Sequence, residues 1–483
     1  MKGWVKVGID FFQKSRNPLL QELNELDWKG GLTTDSERIA KHLSAFSNYP
    51  GGGFMVFGVE NDGTLTGVTQ EQCTEIIKKL GNIARQNLEP GIALDFDVVT
   101  FENTNLLFVQ IIESDIKPVH LRGKTLNDAF TRSVGQTRKM TKDEVKRCII
   151  QSSGERYEEL PALKDISREE VLQKIDFQAY VRLAKKNQLI GEESLLEAMV
   201  GDGLLVRSGD SYHITNLGAI LFARNLPDFE HLRRKAVRVI VYGVKNRVNT
   251  QKEIEGRRGY AVGFQGLIKY VNSQLPTNEV IRDALRMQVK MYPELALREL
   301  IANALIHQDF FIEGTGPTIE IFSDRIEITN PGRPLISINR FIDHPPKSRN
   351  EILASFMRRI NLCEERGSGI DKVIFEIEFF QLPPPQFVGE NEDFLKAILF
   401  AQKPLSEMDK TDRIRACYQH CCLKFVSNEK MTNQSLRKRL NISDGNYPQA
   451  SRIIDNTMRM GLIKYADPES TSKKFAQYIP FWA

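Results

Sequence analysis

The sequence has few cysteines and no long hydrophobic run. Six cysteines among 483 residues exclude a scaffold held together by disulfides and indicate a reducing compartment. No stretch approaches the roughly 18 consecutive apolar residues of a membrane span. At the N-terminus, Lys6 and Asp10 interrupt the chain before a signal-like apolar core develops. We therefore expect a soluble, cytoplasmic protein with no membrane partner.

Several catalytic signatures are also missing. The chain has no Gly-x₄-Gly-Lys-Ser/Thr phosphate loop, no helicase motif set and no serine or cysteine nucleophile constellation. Cys417, His420, Cys421 and Cys422 lie within one helical pattern, without a second pair at zinc-like spacing. This arrangement favours buried thiols over a metal site. A Walker-type ATPase and a zinc module are therefore not expected.

The net charge is small but unevenly distributed. The whole chain carries +4, whereas residues 406–483 hold 13 Lys/Arg against 8 Asp/Glu and so carry +5. The preceding 405 residues are therefore close to neutral, at −1. A basic terminal segment on a nearly neutral body indicates a local contact with nucleic acid.

Helical and strand-like patterns alternate along most of the chain, so we expect an α/β (α+β multidomain) fold. Residues 1–153 form the first such unit. Within 154–280, the polar stretch 154–165 is expected to be a linker, followed by a small winged-helix-like element. Residues 281–405 form a second α/β unit, and 406–483 are expected to form a winged helix-turn-helix.

The most informative helical pattern covers residues 296–310. Its apolar residues predict a core helix, yet Glu299, Asn303 and His307 recur at every fourth position and form a polar stripe along one side. Burying a carboxylate and an amide is costly unless they meet a ligand, an ion or water. A solvated helix face is the alternative interpretation of the stripe alone.

Two later segments favour a ligand over a solvated face. A strand-like run ends in Asn330-Pro331-Gly332, and Gly367-Ser368-Gly369 opens another predicted helix. Backbone N–H groups at a Gly-rich helix start suit phosphate. A tight turn would explain the Gly-x-Gly alone, but the three segments in this order are more specific.

In this order the segments resemble the Bergerat (GHKL-type) ATPase fold of gyrase, Hsp90, histidine kinases and MutL. They are most similar to its divergent HATPase_c_4-like branch, found in transcriptional regulators that are often mislabelled RecG-like helicases. The resemblance rests on Asn303-Ala304-x-x-His307-x-Asp309, Asp324-Arg325-Ile326-Glu327-Ile328, Asn330-Pro331-Gly332, Arg349-Asn350 and Glu365-Arg366-Gly367-Ser368-Gly369.

This resemblance implies an ATP site that includes Mg²⁺. Asn303 would hold Mg²⁺, and Glu299 would orient or deprotonate the attacking water. Asn330 would stand where the wider fold reads adenine with an aspartate, and Gly332 would let the base approach. The other implied cofactor-binding residues are His307, Asp309, Arg349, Asn350, Gly367, Ser368 and Gly369. Because an amide replaces that aspartate and Ile370-Asp371 replaces the second glycine pair of the usual lid, we expect at most slow hydrolysis.

Several motifs follow one another within residues 18–150: Glu25-Leu26-Asp27-Trp28-Lys29, Gly51 to Val59, Asn61 to Gly67, Lys117-Pro118-Val119 and Phe130 to Thr137. In this order they resemble the Schlafen AlbA-2 domain, a nucleic-acid-binding module, over most of residues 18–150. Phosphate contacts are expected from Lys29, Arg132, Arg138 and Lys139, with simple solvated charge as the alternative. His42, His120 and His213 are expected to be structural histidines.

The Schlafen resemblance also leaves an enzyme open. In eukaryotic relatives, acidic residues of this domain cleave RNA, and the matching carboxylates here would be Glu22, Asp27, Glu60 and Asp62. Ordinary surface carboxylates are the stronger interpretation, because Asp62-Gly63 is a plain turn signal. A Schlafen-like nuclease or antiviral effector gated by nucleotide is therefore the alternative function.

The tail looks like a winged helix that contacts DNA. A short basic helix over 433–440 precedes a second helix over 447–460, and two strands flank a turn as a wing would. The expected DNA contacts are Arg437, Gln449, Ser451, Arg452, Lys473 and Lys474. Because winged helices also bind proteins, a nucleotide-gated adaptor is a third alternative.

Taken together, the patterns predict an ATP-binding, DNA-binding transcriptional regulator whose nucleotide state controls its conformation and DNA affinity. The expected cofactors are ATP and Mg²⁺. Double-stranded DNA is the expected partner, with RNA as an alternative, and a homodimer is expected by analogy with the fold.

Overall fold

The computed structural model describes most of the chain, in two compact units, Met1–Arg156 and Tyr157–Ala483. We treat each unit separately. The described ranges are 2–16, 23–133, 135–186, 191–275, 277–282, 285–363, 369–389, 392–467 and 476–483, with only the backbone described at 151, 277–282 and 285–290. Five predicted site residues therefore lie outside the described residues: Glu22, Gly367, Ser368, Lys473 and Lys474.

The first unit packs helices on both faces of a small sheet. Its helices are α1 (Gly3–Arg16), α2 (Ser36–Asn48), α3 (Gln70–Gln86) and α4 (Lys142–Ser152). Its strands are β1 (Leu26–Lys29), β2 (Gly53–Phe57), β3 (Leu88–Glu89), β4 (Leu94–Phe101), β5 (Thr104–Ile111), β6 (His120–Leu121), β7 (Phe130–Ser133) and β8 (Gln136–Lys139). The main sheet has the order β1-β2-β5-β4, and β1 and β2 run parallel.

The central strand β2 explains why this sheet is covered on both sides. All five of its residues are buried. Because successive side chains of a strand point to opposite faces, Met55 and Phe57 pack with α2 and α3, whereas Phe54 and Val56 pack with α1. At the start of α2, the Asp35 side chain accepts from the Arg38 N–H at 3.0 Å. The contacts of Met55 and Phe57 with α2 hold this helix against the sheet that contains β1.

The second unit contains the remaining elements. Its helices are α5 (Arg168–Lys174), α6 (Phe177–Leu183), α7 (Glu192–Gly201), α8 (Asn216–Phe222), α9 (Tyr260–Gln274), α10 (Glu294–Ile306), α11 (Glu351–Arg359), α12 (Gly369–Phe379), α13 (Lys410–Val426), α14 (Asn433–Arg439) and α15 (Tyr447–Arg459). Its strands are β9 (Pro161–Ile166), β10 (Leu205–Ser208), β11 (Ser211–Thr215), β12 (Arg238–Tyr242), β13 (Thr250–Glu255), β14 (Thr277–Arg282), β15 (Leu285–Lys290), β16 (Thr318–Ile321), β17 (Arg325–Pro331), β18 (Gln386–Val388), β19 (Phe394–Phe400), β20 (Met431–Thr432), β21 (Ile463–Tyr465) and β22 (Gln477–Pro480).

The largest sheet of this unit has the order β13-β12-β16-β17-β19-β18. Strands β12 and β16 run parallel, and the other neighbours are antiparallel. Leu300 on α10, Ile328 on β17 and Val373 on α12 belong to one continuous buried core. The mixed α/β fold expected from the sequence is thereby confirmed, and this core supports the site described below.

The stretch 154–165, which was expected to be a linker, contains the boundary between the two units after Arg156, and its later part lies in a strand. Strand β9 pairs with β11 at the edge of a sheet of order β10-β11-β9. Just before it, Glu158 is 2% exposed and accepts from the Leu353 N–H at 3.0 Å. The sequence did not indicate this strand, because exposed Lys164 and Asp165 obscure its pattern, although Pro161 is tolerated as the first residue of an edge strand.

The tail contains α13, α14 and α15 and an antiparallel sheet of order β20-β22-β21. Cys417, Leu436 and Ile454 share its core. Cys417, Cys421 and Cys422 are buried, which confirms the expectation of buried thiols. The predicted helices are also confirmed, whereas the assignment as a winged helix stays a prediction. In the described part of the chain, no helix is long and apolar enough to cross a membrane.

Candidate functional site

Helix α10 carries its polar stripe into the protein interior. Leu297, Leu300 and Ile301 are buried and fix the helix on the domain core. Glu299 is also buried, with 6% of its surface exposed, and Asn303 is half-buried. A solvated helix face is therefore excluded as the explanation of the stripe.

Glu299 and Asn303 lie against the first residue of α12. An ideal Cβ on Gly369 would be 2.9 Å from Glu299 Oε2 and 3.8 Å from Asn303 Nδ2. Neither side chain is hydrogen-bonded to another described residue. Because the first N–H groups of a helix have no intrahelical acceptors, this end of α12 is suited to an anion. We call Glu299, Asn303 and Gly369 the α10–α12 cluster.

The charged and polar side chains in and around the α10–α12 cluster suit a charged ligand. Burial raises the pKa of Glu299 above its usual range, and the positive charges of Lys372 and Arg298 offset part of that rise. Lys372 belongs to the first turn of α12. Asn303 contributes an amide oxygen, which is a hard ligand of the kind that Mg²⁺ accepts. The residues present therefore fit a nucleotide bound with Mg²⁺.

A second group of predicted cofactor residues surrounds the end of α10. Gly332 has a φ of +110°, and a Cβ there would lie 2.7 Å from Arg349 Nη1 and 2.8 Å from Asp309 Cβ. The Asp309 N–H donates to the Pro331 carbonyl at 2.8 Å, which fastens the chain after α10 to the end of β17. Only glycine fits this left-handed, closely approached position.

Arg349 and Asn350 hold the same junction through main-chain oxygens. Arg349 donates to two carbonyls, one of them that of His307 at 3.2 Å. Asn350 Nδ2 donates to the Ile306 and Gln308 carbonyls at 2.7 and 2.8 Å. Because the last carbonyls of a helix lack intrahelical donors, these contacts cap α10. Both residues thus have an architectural role in addition to the cofactor role that was predicted for them.

His307 and Asn330 are also enclosed by this junction. Burial, followed by the nearby charge of Arg349, lowers the pKa of His307 to about 4, so its imidazole is neutral at neutral pH. Asn330 is 4% exposed, and its Nδ2 lies 3.3 Å from the Pro331 carbonyl to which it donates. The amide expected to read adenine is therefore buried at the end of β17.

The first unit contains a cavity of about 650 Å³. Its lining residues are Leu26, Asp27, Trp28, Lys29, Arg38, Lys41, His42, Asn61, Phe130, Arg132, Gly135, Gln136 and Thr137. Four of these are Lys or Arg and one is a carboxylate, so we call it the cationic cavity. Its charge suits a phosphate-bearing ligand.

Asp27 lies beside basic side chains inside the cationic cavity. Its Oδ2 lies 3.1 Å from Lys29 Nζ and 3.2 Å from His42 Nδ1. Burial tends to raise its pKa, but the close approach of His42 and the charge of Lys29 outweigh burial and lower the pKa to about 2. Asp27 is therefore a charged internal counter-ion at neutral pH.

Arg132 lines the cavity but is largely engaged by the protein itself. It is 4% exposed and donates to the Leu23 and Asn24 carbonyls at 3.0 and 3.2 Å. Its Nη1 also donates to Thr137 Oγ1 at 3.2 Å, and its guanidinium lies 4.6 Å from the Phe46 ring centre. These contacts fix the wall of the cavity.

The other two predicted phosphate contacts of this unit are paired with carboxylates. Arg138 donates to both oxygens of Glu144, at 2.7 and 2.9 Å. Lys139 Nζ lies 2.8 Å from Asp128 Oδ1. Neither residue lines the cationic cavity. The structure thus separates this pair from Lys29.

Sequence reasoning missed three cavity residues on α2, namely Arg38, Lys41 and His42. They stand at i, i+3 and i+4 and therefore share one face of the helix. His42, which was expected to be purely structural, contacts both Asp27 and Thr137 Oγ1, each at 3.2 Å. The basic spacing on α2 was the signal that could have found them.

The carboxylates of the nuclease alternative do not gather into a metal site in the described part of the chain. Asp62 is exposed and accepts from the Thr64 N–H at 2.9 Å, as expected for a turn residue. Glu60 lies beside Gly30, where an ideal Cβ would be 2.4 Å from its Oε1. No group of three or more His, Cys, Asp or Glu that could hold a metal occurs among these residues.

The predicted DNA-contacting residues of the tail differ in exposure and in whether they contact other residues of the protein. Arg437 Nε donates to Asn433 Oδ1 at 3.0 Å, and its Nη1 is paired with Asp444. Ser451 Oγ accepts from Asn433 Nδ2 at 3.0 Å. Gln449 is half-buried, and Arg452 is exposed on α15. Of the described candidates, Arg452 is therefore the most accessible cation.

Comparison with known proteins identifies two regions of the chain. Residues 22–141 match the family Schlafen, AlbA_2. Residues 314–399 match HATPase_c_4, described as "Putative ATP-dependent DNA helicase recG C-terminal". The two matches cover separate parts of the chain. The recognition made from the sequence is confirmed, and a HATPase-like domain implies ATP binding.

The HATPase_c_4 match includes Asn330, Gly332, Arg349, Asn350 and the start of α12. Helix α10 precedes the matched region, so the case for Glu299 and Asn303 rests on their geometry.

One solved structure resembles the whole chain at low similarity. The DIP2311 protein from Corynebacterium diphtheriae is 16% identical, with 98% of this chain and 96% of that chain covered and a TM-score of 0.43. No curated protein matches the sequence.

Proposed function

We propose that this protein is an ATP-binding, DNA-binding transcriptional regulator whose nucleotide state controls its conformation and its DNA affinity. The observation that carries the proposal is the α10–α12 cluster. There, a buried carboxylate and a half-buried amide, without hydrogen bonds to other described residues, meet the first residue of a helix. In a HATPase-like domain, such a cluster is suited to the phosphates of ATP.

Each residue of the cluster has a distinct task in this proposal. Asn303 would offer its amide oxygen to Mg²⁺, which when bound neutralises phosphate charge. The N–H groups that open α12 would donate to phosphate oxygens, and Gly369 would keep the approach free of a side chain. Glu299 would orient a water molecule. Because burial raises its pKa, the Glu299 carboxylate accepts a proton more readily than an exposed carboxylate does.

DNA contact is proposed for the tail. Residues 406–483 carry +5, and Arg452 is exposed on the second of two consecutive short helices. A cation on such a helix can contact the phosphate backbone, and the affinity should then fall steeply with salt. Single-stranded DNA or RNA is the proposed ligand of the cationic cavity, and a homodimer is the proposed assembly.

Calorimetry of the full-length protein with Mg-ATP tests the nucleotide site. We expect wild-type protein to bind and the double variant Glu299→Gln, Asn303→Ala to bind about tenfold more weakly or not at all. Glu294→Gln, on the first turn of the same helix, is the matched control and should bind as wild type. An absence of binding, or equal binding by the double variant, contradicts the proposal.

Fluorescence anisotropy with duplex DNA tests the proposal that bound nucleotide controls the DNA affinity. We expect Mg-ATP to change the DNA affinity about threefold or more, corresponding to a coupling free energy of roughly 0.7 kcal/mol. The DNA should stay intact with Mg²⁺ or Mn²⁺, which separates a regulator from the nuclease alternative. DNA affinity that is identical with and without nucleotide counts against regulation.

A further inference from the structure

Helix α12 lies between the α10–α12 cluster and the tail. Its first residue, Gly369, belongs to the cluster, and its last turn carries Glu378. Val373 and Ile377 pack in the domain core that includes α10, whereas Ile374 packs in the tail core. One helix of 11 residues, about 16 Å long, therefore has contacts with both regions.

Glu378 connects α12 to two helices of the tail. Its Oε2 lies 2.9 Å from His420 Nδ1 on α13, and its Oε1 lies 3.3 Å from Arg439 Nε on α14. His420 Nε2 lies 3.1 Å from Ser435 Oγ, which is also on α14. We call Glu378, His420, Ser435 and Arg439 the tail anchor.

Two residues of the tail anchor are buried, and Glu378 and Ser435 are half-buried. His420 and Arg439 are 5% and 6% exposed. Burial lowers the pKa of Arg439, and the charge of Glu378 acts in the opposite direction. Separating Glu378 from Arg439 is unfavourable, because the buried guanidinium would be left without a compensating charge. Helices α13 and α14 are therefore expected to follow a displacement of α12 and keep these contacts.

The displacement would reach the proposed DNA-contact helix through α14. Asn433 at the start of α14 donates to Ser451 Oγ on α15 at 3.0 Å. Leu436 on α14 and Ile454 on α15 share the tail core. A shift of the tail anchor therefore changes the position of α15, which carries Arg452.

We propose that α12 couples the α10–α12 cluster to the tail and that Glu378 is the residue that transmits the coupling. This inference rests on the proposed function, because it assigns the regulation of the same nucleotide site. ATP bound at the first turn of α12 stabilises one position of that helix relative to others. Through the contacts of the tail anchor, this position of α12 in turn stabilises the matching positions of α13 and α14. By linkage, a ligand of the tail changes the ATP affinity by the same factor.

Amide hydrogen exchange of the full-length protein, with and without Mg-ATP, tests the coupling. Wild type is compared with Glu378→Gln and with Glu376→Gln, a matched change on the same helix. We expect Mg-ATP to change exchange in residues 410–439 about threefold or more in wild type and in Glu376→Gln, and not in Glu378→Gln. Exchange in α10 should respond equally in all three proteins.

The outcomes separate this inference from the proposed function. If calorimetry detects Mg-ATP binding but wild-type residues 410–439 do not respond, the coupling is wrong and the ATP site stands. An equal response in Glu378→Gln overturns the role of Glu378. If Mg-ATP does not bind at all, both proposals fail. Should Glu378→Gln not fold, His420→Gln replaces it, because it removes the imidazole that contacts Glu378; a response of residues 410–439 equal to that of wild type then overturns the role of Glu378.

Discussion

Gly369 and Glu299 approach so closely that a methyl group at position 369 would collide with the carboxylate, since the ideal Cβ lies 2.9 Å from Oε2. The colliding atom is the end of a flexible side chain, so the fold can relax by moving Glu299. Glycine at this position therefore matters for the ligand site more than for stability.

Gly369→Ala should weaken ATP binding without unfolding the protein. We expect the Mg-ATP affinity to fall about tenfold, because Glu299 must leave its position and the added methyl group narrows the approach to α12. The free energy of unfolding should change by less than about 1 kcal/mol. Calorimetry and chemical denaturation measure the two effects. Gly266→Ala on α9, where a Cβ meets no atom within 4 Å, is the control, and equal ATP affinity in the two variants would contradict the prediction.

Gly332→Ala should mainly destabilise the second unit, whereas Gly369→Ala should mainly weaken ATP binding. Its Cβ would lie 2.9 Å from the Asp309 main-chain nitrogen, and the φ of +110° is unfavourable for alanine. Because a main-chain atom cannot move aside cheaply, we expect a loss of about 3 kcal/mol in the free energy of unfolding. Gly314→Ala, with a φ of +74° but no atom within 4 Å, should lose only about 1 kcal/mol. Urea denaturation followed by circular dichroism compares them, and similar losses in the two would argue against a steric cause.

The residues of the nucleotide site differ in how far the sequence could predict their roles. Helical periodicity predicted that Glu299 and Asn303 share one face, because it is a local property, whereas a site that also includes Gly369 was implied only by the resemblance to the GHKL-type fold. The same resemblance treated Arg349 and Asn350 as cofactor residues, although three of the four carbonyls to which they donate belong to the end of α10 and the loop that follows. A donor that caps a helix and a donor that binds a phosphate have the same side chain, so sequence alone does not distinguish them.

Contacts between residues that are far apart in the sequence account for most of the structural features that the sequence did not predict. Arg132 was predicted as a phosphate contact, but its acceptors at Leu23 and Asn24 are more than 100 positions away. Strand β9 was not predicted within the stretch 154–165, because its partner β11 lies about 50 residues later and supplies the pairing that its own composition does not indicate.

Arg38→Ala should weaken binding of a single-stranded oligonucleotide, whereas Arg138→Ala should not. Arg38 is exposed on α2 and lines the cationic cavity, while Arg138 is paired with Glu144 outside it. Loss of one phosphate contact should lower the affinity several-fold, about 1 kcal/mol, and reduce the salt slope by about one unit. Anisotropy titrations at several salt concentrations measure both quantities. Equal effects of the two substitutions would show that the cavity is not the binding site.

Asp371→Asn should stabilise the second unit at neutral pH and not in mild acid. Asp371 Oδ1 is buried and has no hydrogen-bond partner within the described residues. Burial, followed by the charge of Asp343, raises its pKa from 3.8 to about 6. The folded protein therefore binds this proton more tightly than the unfolded chain, and the carboxyl destabilises the fold increasingly as the pH rises from the unfolded pKa to the folded one.

The size of the gain and its pH dependence are measurable by denaturation. A shift of this size corresponds to at most about 3 kcal/mol, and we expect about 1 kcal/mol because part of the side chain reaches solvent. The variant should gain this stability at about pH 7.5 and lose the gain at about pH 4. Asp455→Asn, an exposed change on α15, should alter stability little at either pH. An identical gain for Asp371→Asn at both pH values would mean that ionisation of this carboxyl is not the cause.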